Sequence, residues 1–295
     1  MNGGVFALGY FDGVHRGHRL VIDAAVVAAR ALKIPARVLT FEPHPRAFFA
    51  PNLPPFRLAP PPAKERLLKS CGIDDVVTLN FTDEFAQLSA QDFVEQVLIK
   101  QCAAQHIVAG HDFAFGHGRA GNMQLLTKWL APHGVAVTEI PALGDIAGRA
   151  VSSSAIREFL RQGELAKAID MLGHGWSIAG TIIGGDARGR TLGVPTANIA
   201  LGDYLRPKFG VYAIRAGRVG EPLSYKGVAN IGVRPTLNDK GVRENLEAHL
   251  FDFDEDIYGQ EWEFALTRFI RPEQKFSGLD ELKAQIKRDI EAARS

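Results

Sequence analysis

Two cysteines in 295 residues, Cys71 and Cys102, leave no disulfide framework to hold this chain together. Each falls inside a helical pattern and reads as a small buried hydrophobe. An excess of charge of one sign is missing as well. Lys and Arg total 34 against 33 Asp and Glu, a net charge of +1. No overall field therefore draws the protein to nucleic acid or to a membrane surface, and any anion binding has to be local. No uncharged apolar run approaches the length of a membrane span. The opening Met1-Asn2-Gly3-Gly4 lacks the basic segment of a signal peptide and leads straight into an apolar run. The expectation is a cytoplasmic protein, with no nucleic-acid or membrane partner and at most a weak homo-oligomer. A hydrophobic fraction of 46% is ordinary for a globular chain, and the length suits one large or two medium domains.

What the chain does have is a glycine-punctuated turn between a strand and a helix. Val5-Phe6-Ala7-Leu8 is an apolar run of buried-strand length. It breaks into Gly9-Tyr10-Phe11-Asp12-Gly13-Val14-His15-Arg16-Gly17-His18. From Arg19 on, Leu20, Val21, Ala24, Ala25, Val27, Ala28 and Leu32 fall at helical spacing. A helix start gathers free N–H groups and partial positive charge, which makes it an anion site. His15 and His18 sit at its mouth, and Gly17 lets backbone come close to a ligand. A lone turn histidine is usually only solvated. A zinc pair would need a third ligand, and none of Cys, Glu or His lies near in sequence. Two imidazoles three residues apart at a helix start suit the phosphates of a nucleotide.

The first half continues as strands alternating with helices, which implies a doubly wound parallel sheet. Strands are expected over 36–41, 75–79, 106–109 and 135–140, and helices over 19–32, 63–70, 91–101 and 122–131. His44 stands after the second strand, between Pro43 and Pro45, on a stiff corner at the sheet edge where ligands bind. A structural role for it is as well supported by this pattern alone. The proline-rich stretch 51–62 is too long for a plain connection and is either a flap or inert. At the exit of the 106–109 strand, Gly110, Asp112, Phe113, Phe115 and Gly116 crowd together, with the two phenylalanines either core or pocket wall. Ser152-Ser153-Ser154 precede an apolar helix carrying Arg157 one turn in. They are either an over-supplied cap or a second anion cup.

Beyond Gly173 the pattern turns to β alternation over 176–183, 210–216, 225–232, 246–253 and 261–270, closed by an amphipathic helix over 279–293. A small antiparallel barrel with a C-terminal helix is expected, and domains of residues 1–172 and 173–295. Gly184 to Thr191 nearly matches a P-loop, but Gly193 and Pro195 forbid the helix that must follow one. It is a different glycine-rich loop.

These motifs, in order, resemble the prokaryotic bifunctional riboflavin kinase/FAD synthetase family. Gly9 to His18 resembles the first signature of its Rossmann-like nucleotidyltransferase domain. Thr40-Phe41-x-Pro43-His44-Pro45, Gly110-x-Asp112-Phe113-x-Phe115-Gly116 and Ser152-Ser153-Ser154-x-Ile156-Arg157 resemble its later motifs. Gly193-Val194-Pro195-Thr196-Ala197-Asn198 resembles the kinase signature, and the stretches 230–236, 246–253 and 271–276 match further segments. Tyr10, Gly184 and Val194 depart from the usual residues without removing a chemically required group, and Ala155 stands where Arg is frequent, so a contact from that side chain is absent.

The resemblance implies ATP-dependent phosphorylation of riboflavin to FMN, then adenylylation of FMN to FAD with release of pyrophosphate. It implies that His15 and His18 serve adenylyl transfer on the ATP phosphates. Nucleotide contacts are implied for Gly9, Phe11, Gly13, Gly17, His44, Asp112, Ser153, Ser154, Arg157, Gly189, Thr196 and Asn198. Flavin contacts are implied for Phe113, Phe115 and Arg271, and the role of kinase general base for Glu247. Thr196 and Asn198 would hold Mg²⁺; a hydroxyl and an amide oxygen are hard, neutral ligands suited to it. Two rivals stand beside this reading. An adenylyltransferase for another small phosphate explains only the first half. A flavin carrier with idle sites would bind flavin without ATP turnover.

Overall fold

The computed structural model describes residues 3–145, 148–184, 196–235 and 242–295, with Arg234, Pro235, Val242 and Arg243 as backbone alone. They fall into two compact units. Met1–Pro54 and Ala59–Ser152 make the first; Pro55–Leu58 and Ser153–Ser295 make the second.

The first unit is a parallel sheet of five strands: β1 (Gly4–Leu8), β2 (Ala36–Glu42), β3 (Asp75–Asn80), β4 (Ala104–Gly110) and β5 (Ala136–Ile140). Their order is β3-β2-β1-β4-β5. The helices are α1 (Arg16–Leu32), α2 (Pro45–Phe49), α3 (Pro61–Ser70), α4 (Asp83–Ala86), α5 (Ala90–Asp92, running on π-wound over Phe93–Gln101) and α6 (Met123–Leu130). The unbroken apolar β1 is explained by burial of both its faces. Val5 and Ala7 pack with Val21, Ile22 and Ala25 of α1. Phe6 and Leu8 point the other way, into a cluster with Leu98 of α5 and Leu126 of α6.

The second unit is antiparallel, with strands β6 (Ser177–Thr181), β7 (Ala197–Ala200), β8 (Gly210–Arg218), β9 (Tyr225–Pro235), β10 (Val242–Leu250) and β11 (Glu261–Pro272). They run in the order β6-β11-β8-β9-β10-β7. An isolated bridge between Ile183 and Asn198 brings the two ends together, so the barrel is nearly closed. Inward residues alternate along each strand: Leu246, Ala248 and Leu250 of β10 are buried while Glu247 and His249 face the other way. Helices α7 (Ser153–Gln162) and α8 (Leu165–Leu172) belong to this unit, and α9 (Leu279–Arg294) closes the chain. Ile290 and Ala293 of α9 cover Val211 and Val228 on the outside of the barrel.

The expected fold is present; two strands differ in detail, and the stretch 51–62, open in the sequence, is placed. β7 was not anticipated: the turn residues before it mask a four-residue strand. β10 starts at Val242, earlier than the alternation suggests, and stops at Leu250, before a turn in which Asp252 takes φ 55°. The stretch 51–62 is not a flap in its second half. Pro61 and Pro62 open α3, where a missing N–H costs nothing, and Phe56, Leu58 and Ala59 are buried. The strap 55–58 is bonded into the second unit. Arg157 Nε donates to the Phe56 carbonyl at 2.8 Å, Trp176 Nε1 to that of Leu58 at 2.8 Å, and the Leu205 N–H to that of Arg57 at 2.7 Å.

Gly116 pins the loop that follows β4. Its φ is +74°, and a Cβ there would stand 2.5 Å from the backbone N and Cα of Ala90. Gly116→Ala is expected to destabilise the first unit by about 2 kcal/mol, read as a lower midpoint of urea unfolding.

Candidate active sites

In the first unit, chain direction reverses at β1. The chain passes from β1 to β2 and β3 on one side, then returns to build β4 and β5 on the other. Such a switch point opens a crevice at the strand ends. Leu8 pairs with Ala109, so Gly9 and Gly110 leave the sheet side by side. The two glycine-rich motifs are thus neighbours in space.

His15 is the N-cap of α1. Its Nδ1 accepts from the backbone N–H of His18 at 3.2 Å, which leaves Nε2 as the donor nitrogen. The rings of His15 and His18 stack, 3.5 Å between centroids and 15° between planes. Phe11 backs His18 edge-on at 5.3 Å. Gly17 has a second use besides backbone approach: a Cβ there would stand 3.2 Å from the His15 ring. Phe11 (φ 51°) and Val14 (φ 42°) hold left-handed backbone in the turn. For a β-branched residue that is a strained conformation, of the kind that marks functional sites. Asp12, 4% exposed, accepts from the Ala59 N–H at 3.0 Å.

The β2 exit joins this mouth. His44 caps α2 through Nδ1 and the Arg46 N–H. Its ring lies 4.8 Å from that of Tyr10, which also meets Phe41 at 5.8 Å. Burial raises the Tyr10 phenol pKa, and the charge of Arg119 partly offsets this. At the β4 exit Asp112 is exposed. Phe113 is half-buried and stacks on Phe115 at 5.6 Å, while Phe115 is buried against Phe93. Phe115 is therefore part of the core, and Phe113 is the more accessible of the pair. Phe81 and Phe49 extend the aromatic wall outward, Phe49 being 69% exposed. The sequence gives Tyr10, Arg119 and Phe49 no functional signal, because none of them belongs to a periodic pattern.

Ser153 and Ser154 open α7 in the second unit. Arg157 is buried there, its Nε on the Phe56 carbonyl and its guanidinium 5.4 Å from the Phe56 ring.

On the barrel, register gathers the remaining residues. Glu247 pairs with Asn198 on one side and Asn230 on the other. Asn230 pairs with Val211, and Val211 with Arg271. Asn198, Glu247, Asn230, Val211 and Arg271 thus form one row across five strands, facing away from the barrel core. Neighbours in such a row have Cβ atoms about 5 Å apart. α9 covers the Val211 end. There Arg271 is held by the buried Asp289 through two bonds, Nε to Oδ1 at 2.9 Å and Nη2 to Oδ2 at 2.7 Å. Glu273 lies over the row: its Oε1 accepts from Asn230 Nδ2 at 3.4 Å. A Cβ on Gly232 would stand 1.9 Å from that oxygen, so this carboxylate occupies the notch that Gly232 leaves. Thr196 lines a cavity of about 300 Å³ with Ile182, Phe253, Asp254, Asp256 and Tyr258. Gly189 and the residues 193–195 lie outside the described residues. Asn230 is found from the strand register and Glu273 and Asp289 from packing against β9 and β11, neither of which any spacing in the sequence states.

A family model described as FAD synthetase matches residues 1–155, and one described as riboflavin kinase matches residues 172–295. A bifunctional riboflavin kinase/FMN adenylyltransferase of Escherichia coli (strain K12) is 42% identical over 293 residues, covering 99% of this chain and 92% of its own. The protein so named from Bacillus subtilis (strain 168) is 38% identical over 293 residues, covering 98% and 91%. A solved structure described as a macrolide-efflux protein from Streptococcus pneumoniae superposes with a TM-score of 0.86 at 33% identity, covering 99% of this chain and 94% of that one. Among the described residues, no helix of this chain is long and apolar enough to cross a membrane.

Removing Asp289 leaves the mostly buried Arg271 guanidinium without its carboxylate. Asp289→Ala is expected to destabilise the second unit by about 3 kcal/mol, read as a lower melting temperature.

Proposed function

The chain belongs to the bifunctional riboflavin kinase/FMN adenylyltransferase family, transferases that phosphorylate riboflavin and adenylylate FMN, and on that premise we propose where each reaction takes place. The functional halves are residues 1–172 and 173–295. The observation that carries the kinase assignment is the row across the barrel, in which Glu247 stands between two amide side chains on the face that bears Arg271.

In the kinase half the nucleophile is the terminal ribityl hydroxyl of riboflavin, a weak one. Glu247 takes its proton as it attacks the γ-phosphorus of ATP. Asn230, beside Glu247 and bonded to Glu273, orients the alcohol. Arg271 lies toward the flavin end of the row. Thr196 and Asn198 offer a hydroxyl and an amide oxygen to a magnesium ion. Both are neutral oxygen donors of the kind a hard cation would take. When bound, the ion neutralises charge on the phosphoryl oxygens. The cavity beside Thr196 takes the base end of the nucleotide, because Asp254 and Asp256 would repel the triphosphate.

In the adenylyltransferase half the nucleophile is the FMN phosphate, largely ionised at neutral pH with a second pKa of about 6. It needs no base. It attacks the α-phosphorus of ATP, and pyrophosphate leaves. The residues have only to hold two anions together and steady the leaving group. His15 and His18, at the positive end of α1, meet the phosphates. Gly9, Phe11, Gly13 and Gly17 shape the turn that admits them. His44 and Asp112 contact the nucleotide from the neighbouring strand exits. Phe113 stacks on the flavin with Phe115 behind it. Both reactions suit the cytoplasm, where ATP is available.

Incubation with riboflavin, ATP and Mg²⁺, followed by chromatography of the flavins, is expected to yield FMN and then FAD. Bound flavin without product would overturn both assignments. Glu247→Gln should lower FMN formation by 10²- to 10⁴-fold, roughly the worth of a general base, and leave FMN-to-FAD conversion intact. His18→Ala should do the reverse, with a loss of about 10²-fold in FAD synthesis. An equal loss of both activities in either variant would sink the two-site model.

A further inference from the structure

Lys64 is a buried ammonium that neither proposed reaction uses. It lies in the first turns of α3 and is 4% exposed. Its Nζ donates to Glu42 Oε1 at 3.1 Å and to Thr40 Oγ1 at 3.3 Å. Thr40 is fully buried. Thr40 and Glu42 stand two apart on β2, hence on one face of the strand. Thr40 Oγ1 donates in turn to the Tyr10 carbonyl, at a long 3.5 Å.

A lysine buried this way is a poor device for stability. Desolvation of an ion pair offsets most of its Coulomb attraction, and an apolar pair of similar volume often serves folding as well or better. Its location supplies a different reason. Through Thr40 it bears on the turn 9–13, which carries the His15 and His18 cap. Through Glu42 it bears on the corner that sets His44. The rings of Tyr10 and His44 meet above, 4.8 Å apart, so the two segments are joined on both sides. The approach to α3 is tied to the same turn by the Asp12 carboxylate and the Ala59 N–H.

We propose that Lys64, paired with Glu42, is a positioning residue of the adenylyl-transfer site, fixing the β1 and β2 exits at the spacing the two reacting phosphates require. The proposal rests on the assignment of adenylyl transfer to the first unit. Misplacing reactants by about 1 Å can cost on the order of 10²-fold in rate, with little effect on binding when the contacts themselves are kept.

The experiment compares Lys64→Met, Lys64→Arg and the double variant Lys64→Met/Glu42→Gln. Melting temperature is measured, as are kcat and KM for ATP in FMN-to-FAD conversion, at a temperature where each variant is folded. Riboflavin-to-FMN conversion by the same chain is the internal control. Lys64→Met alone breaks the bond to Glu42 while keeping the mostly buried carboxylate and should lose both stability and rate. The double variant removes both charges and should melt near wild type, yet convert FMN to FAD about 10- to 100-fold more slowly. Its KM for ATP should stay within about 3-fold and its kinase rate should not change. Lys64→Arg keeps the charge and should recover part of the rate. A wild-type kcat in the double variant, at whatever melting temperature, would make the pair a packing feature and overturn the proposal. So would a raised KM at unchanged kcat, which belongs to a binding contact. Failure of the underlying assignment reads differently: His18→Ala would then leave FMN-to-FAD conversion intact.

Discussion

The hydrogen bonding of β1 to strands on both sides is the constraint on which the first unit depends. Val5 to Leu8 pair residue by residue with β2 from Ala36 to Leu39, and β4 takes the other edge. Helices cover both of its faces as well, which explains its unbroken apolar run. It also has to release the chain at its carboxyl end, between two other strand exits. The anion-binding start of α1, the His44 corner and the aromatic wall after β4 converge because those three strands are adjacent, although about a hundred residues separate Gly9 from Asp112 in the chain. Left-handed backbone at Phe11 and Val14 is the local cost of turning sharply enough to begin α1 at once.

The barrel solves its problem by a different geometry. Antiparallel pairing repeats every two residues, so one face can carry a row of polar groups from four strands, with Val211 on the fifth, while the other buries Leu246, Ile231 and Ile199. The proposed division of labour follows the nucleophiles. An alcohol calls for a carboxylate beside it, the part proposed for Glu247 on the barrel; a phosphate does not, and imidazoles and N–H groups stand at the crevice.

Much of this was legible in the sequence where periodicity or special backbone left a mark. The β1 run, the α1 spacing and the glycines between them predict a strand, a tight turn and a helix, and the structure has them with His15 as the cap. The alternation after Gly173 predicts the barrel. Pairing was not legible. Glu247 in an alternating strand looks like any outward glutamate until register sets Asn198 and Asn230 on either side of it. Lys64 looks like a solvated helix residue, since its spacing is helical and its partners Thr40 and Glu42 lie on another element. Phe113 and Phe115 are adjacent on paper and nearly equivalent. Only packing separates the one against Phe93 from the one at the edge. β7 was hidden by the turn residues before it.

The strap 55–58 bears on how the two activities divide along the chain. Its flanks belong to the first unit, while its carbonyls receive donors from Arg157, Trp176 and Leu205 of the second. A fragment starting at residue 173 would keep every strand of the barrel, yet the Trp176 indole and the Leu205 amide would each lose an acceptor, at a cost of about 1–3 kcal/mol for each buried donor. No single cut at residue 173 therefore leaves the second unit whole, because four residues of its fold are carried far upstream in the chain.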